Sequence, residues 1–331
     1  MSRTPPLDDW LRACLGGEPF SLAPASEDAS FRRYFRVTTA AGTRIVMDAP
    51  PQYEDCRPFV KVARLFRQAG VNVPEVLAED VENGYLLLTD LGGTMYAQAL
   101  NDCSAASLYD AATNALVRIQ LASRPDVLPP YDRALLLREL RLFPDWYVAK
   151  QLGVPLLSAQ SEALAAAFEL ILANNLAQPP VYVHRDYHSR NLMVTDPNPG
   201  IIDFQDAVYG PITYDLASLF KDAYISWEEE RIIDWVVRYW EKAKAAGLPV
   251  DPDFGAFYRD FEWMGVQRHI KVLGIFARLF HRDGKDRYLR DQPLVMAYLR
   301  RACERYSALG PLLRLLDELD RRQPAVTTPF N

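Results

Sequence analysis

Two segments decide the fold of this chain: His184-Arg185-Asp186-Tyr187-His188-Ser189-Arg190-Asn191 and Ile201-Ile202-Asp203-Phe204-Gln205-Asp206. The first is predicted to lie on a loop between two short strands, and the second begins as a hydrophobic strand that ends at Asp203. Mg²⁺ takes few protein oxygens and fills its octahedron with water and phosphate, so Asn191 and Asp203 suffice as its ligands. Asp186 is then left to accept a proton from an attacking hydroxyl group.

The two segments resemble the protein-kinase superfamily signature, in which His-Arg-Asp-x-x-x-x-Asn supplies the base and one metal ligand and Asp-Phe-Gly supplies the other. The match is complete at 184–191, whereas 203–205 is Asp-Phe-Gln. From Tyr209 to Ser218 the chain has no Ala-Pro-Glu motif and is similar to the aminoglycoside and choline kinase branch. The resemblance covers almost the whole chain and implies ATP and Mg²⁺ as cofactors.

The resemblance also implies supporting roles around the loop. Asp215 braces the backbone of the catalytic loop, and His184 supports it as well. His188, two residues after the presumed base, contacts the γ-phosphate or instead helps to pack the loop. Taken singly, such residues are more often helix caps or core histidines, but their order and spacing together favour a phosphotransferase.

Members of this branch bind adenine through the backbone of the connector between the lobes, which corresponds to Thr89 and Leu91. The turn Ser26–Phe31, including Ser30, would offer backbone N–H groups to the phosphates, and an ordinary polar turn is an equal alternative. The branch places a lysine at the end of the third strand, but Arg44–Asp48 contains none.

Without that lysine, another cation holds the phosphates or the affinity for nucleotide is low. Arg33 is the first candidate for this cation, and Arg32 and Lys61 are alternatives. The other interpretation of Arg33 is a solvated residue on an exposed strand face.

The rest of the sequence predicts a two-lobed α+β fold of the protein-kinase type. Strand-like runs span 31–38, 44–49, 74–78 and 85–89, with one amphipathic helix from Pro58 to Gly70. Long helices are predicted at 104–122, 135–152, 158–175, 213–223, 228–246, 254–281 and 292–317, with short strands at 181–184, 192–195 and 201–203. We expect an N-lobe at 1–91 that covers the nucleotide with an antiparallel sheet plus one helix. The C-lobe at 92–331 would carry the catalytic loop, the metal site and the sugar-binding helices.

Composition and charge narrow the class of protein. The chain has 331 residues, of which 49% are hydrophobic and 24% are charged, as in ordinary globular proteins. The net charge is −6 and there is no basic arm, so we expect no nucleic-acid partner. No apolar run approaches the ~20 residues of a bilayer span, and the first nine residues contain no apolar segment, so we expect no secretory signal. Four scattered cysteines favour free thiols, and we expect a cytoplasmic monomer without a membrane partner.

The basic residues of the C-terminal helices bear on the acceptor. Glu262–Arg290 contains seven Lys or Arg residues against three acids, which favours an anionic or neutral acceptor over a polycation, although such runs are usually solvated surface. Four segments are similar to the anomeric kinases of bacterial cell-wall recycling: Met47–Pro51, Leu142–Tyr147, Asp203–Ala207 and Gln267–Arg278. This resemblance implies ATP-dependent phosphorylation of the C1 hydroxyl of N-acetylmuramate and N-acetylglucosamine. It also implies that the missing strand lysine is normal in this group.

The predicted acceptor suggests which residues of the protein bind it. N-acetylmuramate carries a lactyl carboxylate, for which an arginine is the apt partner. Arg268 is the first candidate and Lys271 the second. Trp146, Tyr147 and Trp263 are candidates to cover a face of the amino sugar, although buried packing is the commoner fate of such rings.

Two alternatives remain open at this point. Another kinase of the same branch would act on an aminoglycoside, on choline or another amino alcohol, or on a different sugar. A catalytically inactive nucleotide-binding scaffold would explain the missing lysine and the substitution at Gln205. The presence of Asp186, Asn191 and Asp203 argues against the scaffold.

Overall fold

The chain forms two compact units in a computed structural model that describes residues 5–27 and 31–322. The first unit comprises Met1–Ala122 with Arg190–Ala207, and the second comprises Ser123–Ser189 with Val208–Asn331. Helices predominate beside a small antiparallel sheet, so the predicted α+β class is confirmed. The two units do not divide after residue 91, and the lobe boundary at that point stays a prediction. Over the described ranges, no helix combines the length and the apolarity that crossing a bilayer demands.

The described part of the chain contains nine strands. They are β1 (Ser21–Glu27), β2 (Arg33–Thr39), β3 (Gly42–Asp48), β4 (Val76–Asp80), β5 (Tyr85–Thr89), β6 (Pro180–Val183), β7 (Leu192–Met193), β8 (Gly200–Ile201) and β9 (Val208–Pro211). In the first unit, the first five form an antiparallel sheet in the order β1-β2-β3-β5-β4, and β7 pairs with β8. In the second unit, β6 pairs with β9. The strands predicted between residues 31 and 89 correspond to β2 to β5.

β1 has no clear signal in the sequence, because Pro24 and its small neighbours weaken the strand pattern. The structure places β1 at the edge of the sheet, where its register with β2 shifts between Pro24 and Ser26. A proline is tolerated at an edge because one side of the strand has no partner for a backbone N–H.

Eleven α-helices occur in the described ranges. They are α1 (Leu7–Cys14), α2 (Arg57–Gln68), α3 (Tyr96–Ala99), α4 (Ala105–Leu121), α5 (Arg133–Leu140), α6 (Ser158–Leu176), α7 (Tyr214–Phe220), α8 (Glu229–Ala245), α9 (Phe254–Asp283), α10 (Gln292–Arg305) and α11 (Gly310–Arg322). The short α1, which was not predicted, covers one face of the sheet in the first unit. Its Trp10 and Leu11 form a buried cluster with Val37, Val46 and Tyr85.

Two long predicted helices are interrupted in the second unit. The helix predicted at 135–152 is α5 followed by a π-helix at Phe143–Leu152, and the helix predicted at 292–317 divides into α10 and α11. A proline explains each break, because it cannot donate the backbone hydrogen bond that continues a helix. Pro144 is the second residue of the π-helix and Pro311 is the second residue of α11.

α9 is the central helix of the second unit, where it packs against the π-helix, α7 and α10. Every residue from Phe261 to Gly274 is buried. The chain approaches α9 so closely at one point that only glycine fits. A Cβ atom on Gly274 would lie 2.4 Å from the carbonyl carbon of Leu142.

Replacing Gly274 by alanine should therefore lower the free energy of unfolding by about 1–3 kcal/mol, because the backbone at Leu142 would have to move. Urea unfolding followed by circular dichroism measures this change. Gly310→Ala is the matched control, since the nearest atom to a Cβ there is the end of the Arg314 side chain at 3.6 Å. Equal stability of the two variants would contradict the close approach.

Candidate active site

A hairpin in the first unit brings the two predicted metal ligands together. β7 and β8 are antiparallel, with Leu192 opposite Ile201. Asn191 precedes β7 and Asp203 lies just beyond β8, so the pairing of the strands places them side by side. The Nδ2 of Asn191 donates a hydrogen bond to the Oδ2 of Asp203 at 3.2 Å.

Gln205, which replaces the glycine of the kinase signature, supports the same carboxylate. Its Nε2 donates to the Oδ1 of Asp203 at 2.9 Å. Asp203 has a φ of 63°, a left-handed conformation that costs energy for a residue with a side chain. The neighbouring Phe204 is buried, and its ring centroid lies 4.8 Å from that of Phe59 and 5.9 Å from that of Phe66 in α2. Ring packing and two amide donors therefore fix the direction of the carboxylate.

The chemistry of Asn191 and Asp203 fits a hard divalent cation. An amide and a carboxylate offer the oxygen ligands that Mg²⁺ takes, and water and phosphate oxygens complete its shell. Across the described residues there is no cluster of three or more His, Cys, Asp or Glu side chains that could hold a metal. The pair thus suits an ion that brings phosphate ligands with it.

Asp215 holds the backbone of the loop that follows β6 within the second unit. Its Oδ2 accepts the N–H of His184 at 2.7 Å, and its Oδ1 accepts the N–H of Arg185 at 3.0 Å. His184 accepts the N–H of Asp186 on its Nδ1 at 3.2 Å. Arg185 has a φ of 77°, which is strained for this residue type. These contacts are the ones that the predicted bracing role of Asp215 and His184 requires.

The carboxylate of Asp186 is surrounded by cations of the second unit. Its side chain is 41% exposed, and the Nη1 of Arg268 lies 3.6 Å from its Oδ1. Partial burial acts to raise the pKa of Asp186, but the charges of Lys271, Arg268, His188 and Arg185 outweigh that effect and lower the pKa. Asp186 is therefore ionised at neutral pH, the form that can orient a hydroxyl group and receive its proton.

Comparison with known proteins identifies the family. Residues 21–256 match the APH model, described as the phosphotransferase enzyme family. The chain belongs to this family. Relatives named N-acetylmuramate/N-acetylglucosamine kinase come from Neisseria meningitidis serogroup B (51% identical over 324 residues, 96% of each chain) and Pseudomonas aeruginosa (51% over 326 residues, 95% of this chain and 96% of the relative). A relative of the same name from Caulobacter vibrioides is 32% identical over 336 residues, with 88% of this chain and 87% of the relative covered.

Solved structures share the fold at low sequence identity. A putative aminoglycoside phosphotransferase from Ralstonia eutropha has a TM-score of 0.62 at 14% identity and covers 90% of this chain and 97% of its own. The choline kinase LicA from Streptococcus pneumoniae has a TM-score of 0.60 at 13% identity and covers 92% and 99%. The family match confirms the predicted resemblance and the phosphotransferase class, and these structures show that the fold is shared with aminoglycoside and choline kinases.

This phosphotransferase buries a charged network that contacts Arg185 of the same loop, and no sequence signal marks the network. Glu139 of α5 accepts contacts from Lys271, whose Nζ lies 3.1 Å away, from Arg185 and from the hydroxyl group of Tyr131. Lys271 also donates to the hydroxyl oxygen of Tyr214 at 3.0 Å. Burial acts to raise the pKa of Glu139, but the charges of Lys271 and Arg185 lower it. A glutamate inside a helix ordinarily faces solvent, so its buried role depends on partners far away in the sequence.

The two basic residues predicted to bind a substrate carboxylate are engaged inside the protein. The side chain of Lys271 is 6% exposed and belongs to the Glu139 network. The side chain of Arg268 is 4% exposed, and its Nη1 donates to the carbonyl oxygen of Arg185 at 3.0 Å. Their charges already have protein partners, so this geometry gives no support to the predicted contact with a substrate.

The three aromatic residues predicted to cover the sugar differ in exposure. Tyr147 is buried and stacks on Phe143 with 5.2 Å between ring centroids. Trp263 is buried edge-on against Tyr306 at 5.9 Å. Trp146 is half-buried on the π-helix. Packing therefore accounts for two of the rings, and only Trp146 keeps substantial exposed surface for a ligand.

His188 packs beside the loop, as the alternative to its phosphate contact requires. Its ring lies edge-on to Tyr224 with 5.3 Å between centroids, and its backbone N–H donates to the carbonyl oxygen of Asp186 at 3.0 Å. A contact with the γ-phosphate stays a prediction.

Arg33, predicted to hold the nucleotide phosphates, forms an ion pair with Asp48. It lies on the same face of β2 as Phe35, which packs against the cluster covered by α1. Lys61 is exposed on α2. A phosphate contact of Arg33 would have to compete with Asp48, and it stays a prediction.

The predicted adenine contacts lie at the end of β5. The N–H of Thr89 donates to the carbonyl oxygen of Glu75 at 3.0 Å, and its hydroxyl oxygen accepts the N–H of Glu75 at 2.9 Å. Leu91 is half-buried in the connector that follows. Ser30 lies outside the described residues. The N–H of Thr89 is thus already engaged, and both adenine contacts stay predictions.

Asp215 should make stability depend on pH. Burial raises its pKa to about 7, although the N–H donors of His184 and Arg185 act in the opposite direction. A carboxyl group whose pKa is higher in the folded chain stabilises the fold fully below its unfolded pKa of about 4 and loses that contribution as pH rises to about 7. The free energy of unfolding should therefore fall across this range, and Asp215→Asn should make the slope less negative.

Urea unfolding at a series of pH values measures the slope. Asp132→Asn, the same change at the exposed N-cap of α5, is the matched control. An identical slope in wild type and Asp215→Asn would contradict the raised pKa.

Proposed function

We propose that this protein transfers the γ-phosphoryl group of ATP to the C1 hydroxyl of N-acetylmuramate and N-acetylglucosamine. The observation that carries the proposal is 51% identity over 96% of the chain to a relative named as the kinase of these sugars. Asp186, Asn191 and Asp203, the three residues that the reaction requires, are all present. Because ATP is the donor, we place the reaction in the cytoplasm.

The residues have distinct roles in this proposal. Asn191 and Asp203 would hold a Mg²⁺ ion, which when bound neutralises part of the charge on the nucleotide phosphates. Asp186 orients the sugar hydroxyl group and receives its proton as the bond to phosphorus forms. Its lowered pKa makes it a weak base, which suits a loose transition state in which the hydroxyl keeps its proton until late.

The charge around Asp186 supports this class of acceptor. Arg185, Arg268 and Lys271 all lower the pKa of Asp186 through their positive charge. A polycation or a quaternary amine is favoured by an excess of acidic groups, and these three cations offset the acids Glu139 and Asp186 that they contact. A neutral amino sugar such as N-acetylglucosamine needs no such excess.

A panel of acceptors tests the function. The purified protein is supplied with MgATP and, separately, with N-acetylmuramate, N-acetylglucosamine, kanamycin or choline, and ADP release is measured. We expect turnover with both sugars only, and a product whose phosphate is acid-labile because it sits on the anomeric carbon. Turnover restricted to kanamycin or choline would replace this function with that of another member of the family.

Two substitutions test the proposed roles. Asp186→Asn should lower kcat by about 10²–10⁴-fold and leave the affinity for MgATP nearly unchanged, because the base does not bind the nucleotide. Asp203→Ala should weaken the binding of MgATP in calorimetry, because it removes a metal ligand. Near-normal turnover of the first variant, or unchanged nucleotide affinity of the second, would reject the corresponding role.

A further inference from the structure

Two side chains from different helices hold the backbone of Arg185 in the second unit. Asp215 of α7 accepts the N–H of Arg185 at 3.0 Å, and Arg268 of α9 donates to its carbonyl oxygen at 3.0 Å. The same Nη1 atom of Arg268 lies 3.6 Å from the Oδ1 of Asp186. The residue held in this way is the one with a φ of 77°, directly before the proposed base.

The burial of Arg268 shows what its charge is used for. Its side chain is 4% exposed, and a buried guanidinium is costly unless it is paired and hydrogen-bonded. Its partners include the carbonyl group of Arg185, the carboxylate of Asp186 and the ring of Tyr214, whose centroid lies 5.9 Å from the Cζ atom. The negative charge of Asp222 also acts on it. A substrate carboxylate would have to displace these partners.

Charged groups reach Asp186 from three elements of the second unit. They are Arg268 and Lys271 from α9, Asp215 from α7, and Arg185 and His188 from the loop itself. Lys271 forms its ion pair with Glu139 at 3.1 Å, whereas Arg268 lies at ion-pair distance from Asp186. The two residues are three positions apart on one face of α9, yet they form their ion pairs with different acids.

Building on the proposed function, we propose that Arg268 is a positioning residue for phosphoryl transfer. It keeps the carboxylate of Asp186 in place by contacting both that carboxylate and the carbonyl group of Arg185. A residue with a side chain keeps a left-handed backbone conformation only when several surrounding contacts hold it there. With Arg268 removed, the backbone of Arg185 would keep its N–H bond to Asp215 but lose the bond to its carbonyl oxygen, and the carboxylate of Asp186 would lose an ion-pair partner. Arg268 thus acts through Asp186 rather than on the sugar.

Steady-state kinetics with both sugars test this role. Arg268→Met should lower kcat by about 100-fold, a loss typical of a misplaced reacting group, and to the same extent for N-acetylmuramate and N-acetylglucosamine. KM for both sugars and for MgATP should change by less than about twofold. Arg268→Lys keeps the charge and should recover part of the lost kcat. The control is Arg282→Met on the same helix, where the side chain is 54% exposed and pairs with Asp283.

The two sugars separate the possible roles of Arg268. A rise in KM for N-acetylmuramate alone, with kcat unchanged, would overturn the proposal and assign Arg268 to the lactyl carboxylate, which only that sugar carries. Wild-type kinetics of Arg268→Met with both sugars would also overturn it.

Hydrogen–deuterium exchange of the free enzyme tests the contact without any substrate. Arg268→Met should speed amide exchange in the peptide covering residues 184–189 by about tenfold or more, while the rest of α9 keeps its protection. Arg282→Met should not change exchange in that peptide. Unchanged exchange in the loop, or loss of protection throughout the second unit, would overturn the proposal. If wild type phosphorylates neither sugar, the proposed function fails, and this measurement still decides whether Arg268 holds the loop.

Discussion

The loop that carries Asp186, the proposed base, depends on one buried carboxylate, that of Asp215. By accepting the N–H groups of both His184 and Arg185, it holds the chain in a conformation that Arg185 would not adopt by itself. The direction of Asp186, the next residue, follows from that conformation. Burying this carboxylate is energetically unfavourable, as the raised pKa of Asp215 shows. The buried group nevertheless holds the backbone directly before Asp186, the proposed base.

Around this loop, the second unit buries both signs of charge and pairs them. Lys271 and Arg185 contact Glu139, and Arg268 contacts Asp186. A buried charge is tolerated only when its partners stand at the right distance, so the network ties α5, α9 and the loop to one arrangement. The lowered pKa of Asp186 is a consequence of that arrangement.

The two segments that carry the kinase signature could be interpreted from the sequence because their functional residues lie close together along the chain. Asn191 and Asp203 flank a short hairpin, so strand pairing alone brings them together, and the prediction needed no distant contact. The family, the α+β class and most helices and strands could be predicted for the same reason. β1 and α1 could not, since Pro24 weakens the strand pattern and α1 is only eight residues long.

The sequence by itself determined the order of the elements, the identity of the acids and the amide, and the class of reaction, because these follow from residue type and spacing. Only the tertiary structure decided how Arg268 and Lys271 are used. Among apolar neighbours on α9, a basic residue suits a ligand-binding wall and a buried ion pair equally well. The choice rests on Glu139, 132 positions before Lys271, and on the strained loop beside Arg268, and periodicity along a helix carries no information about either.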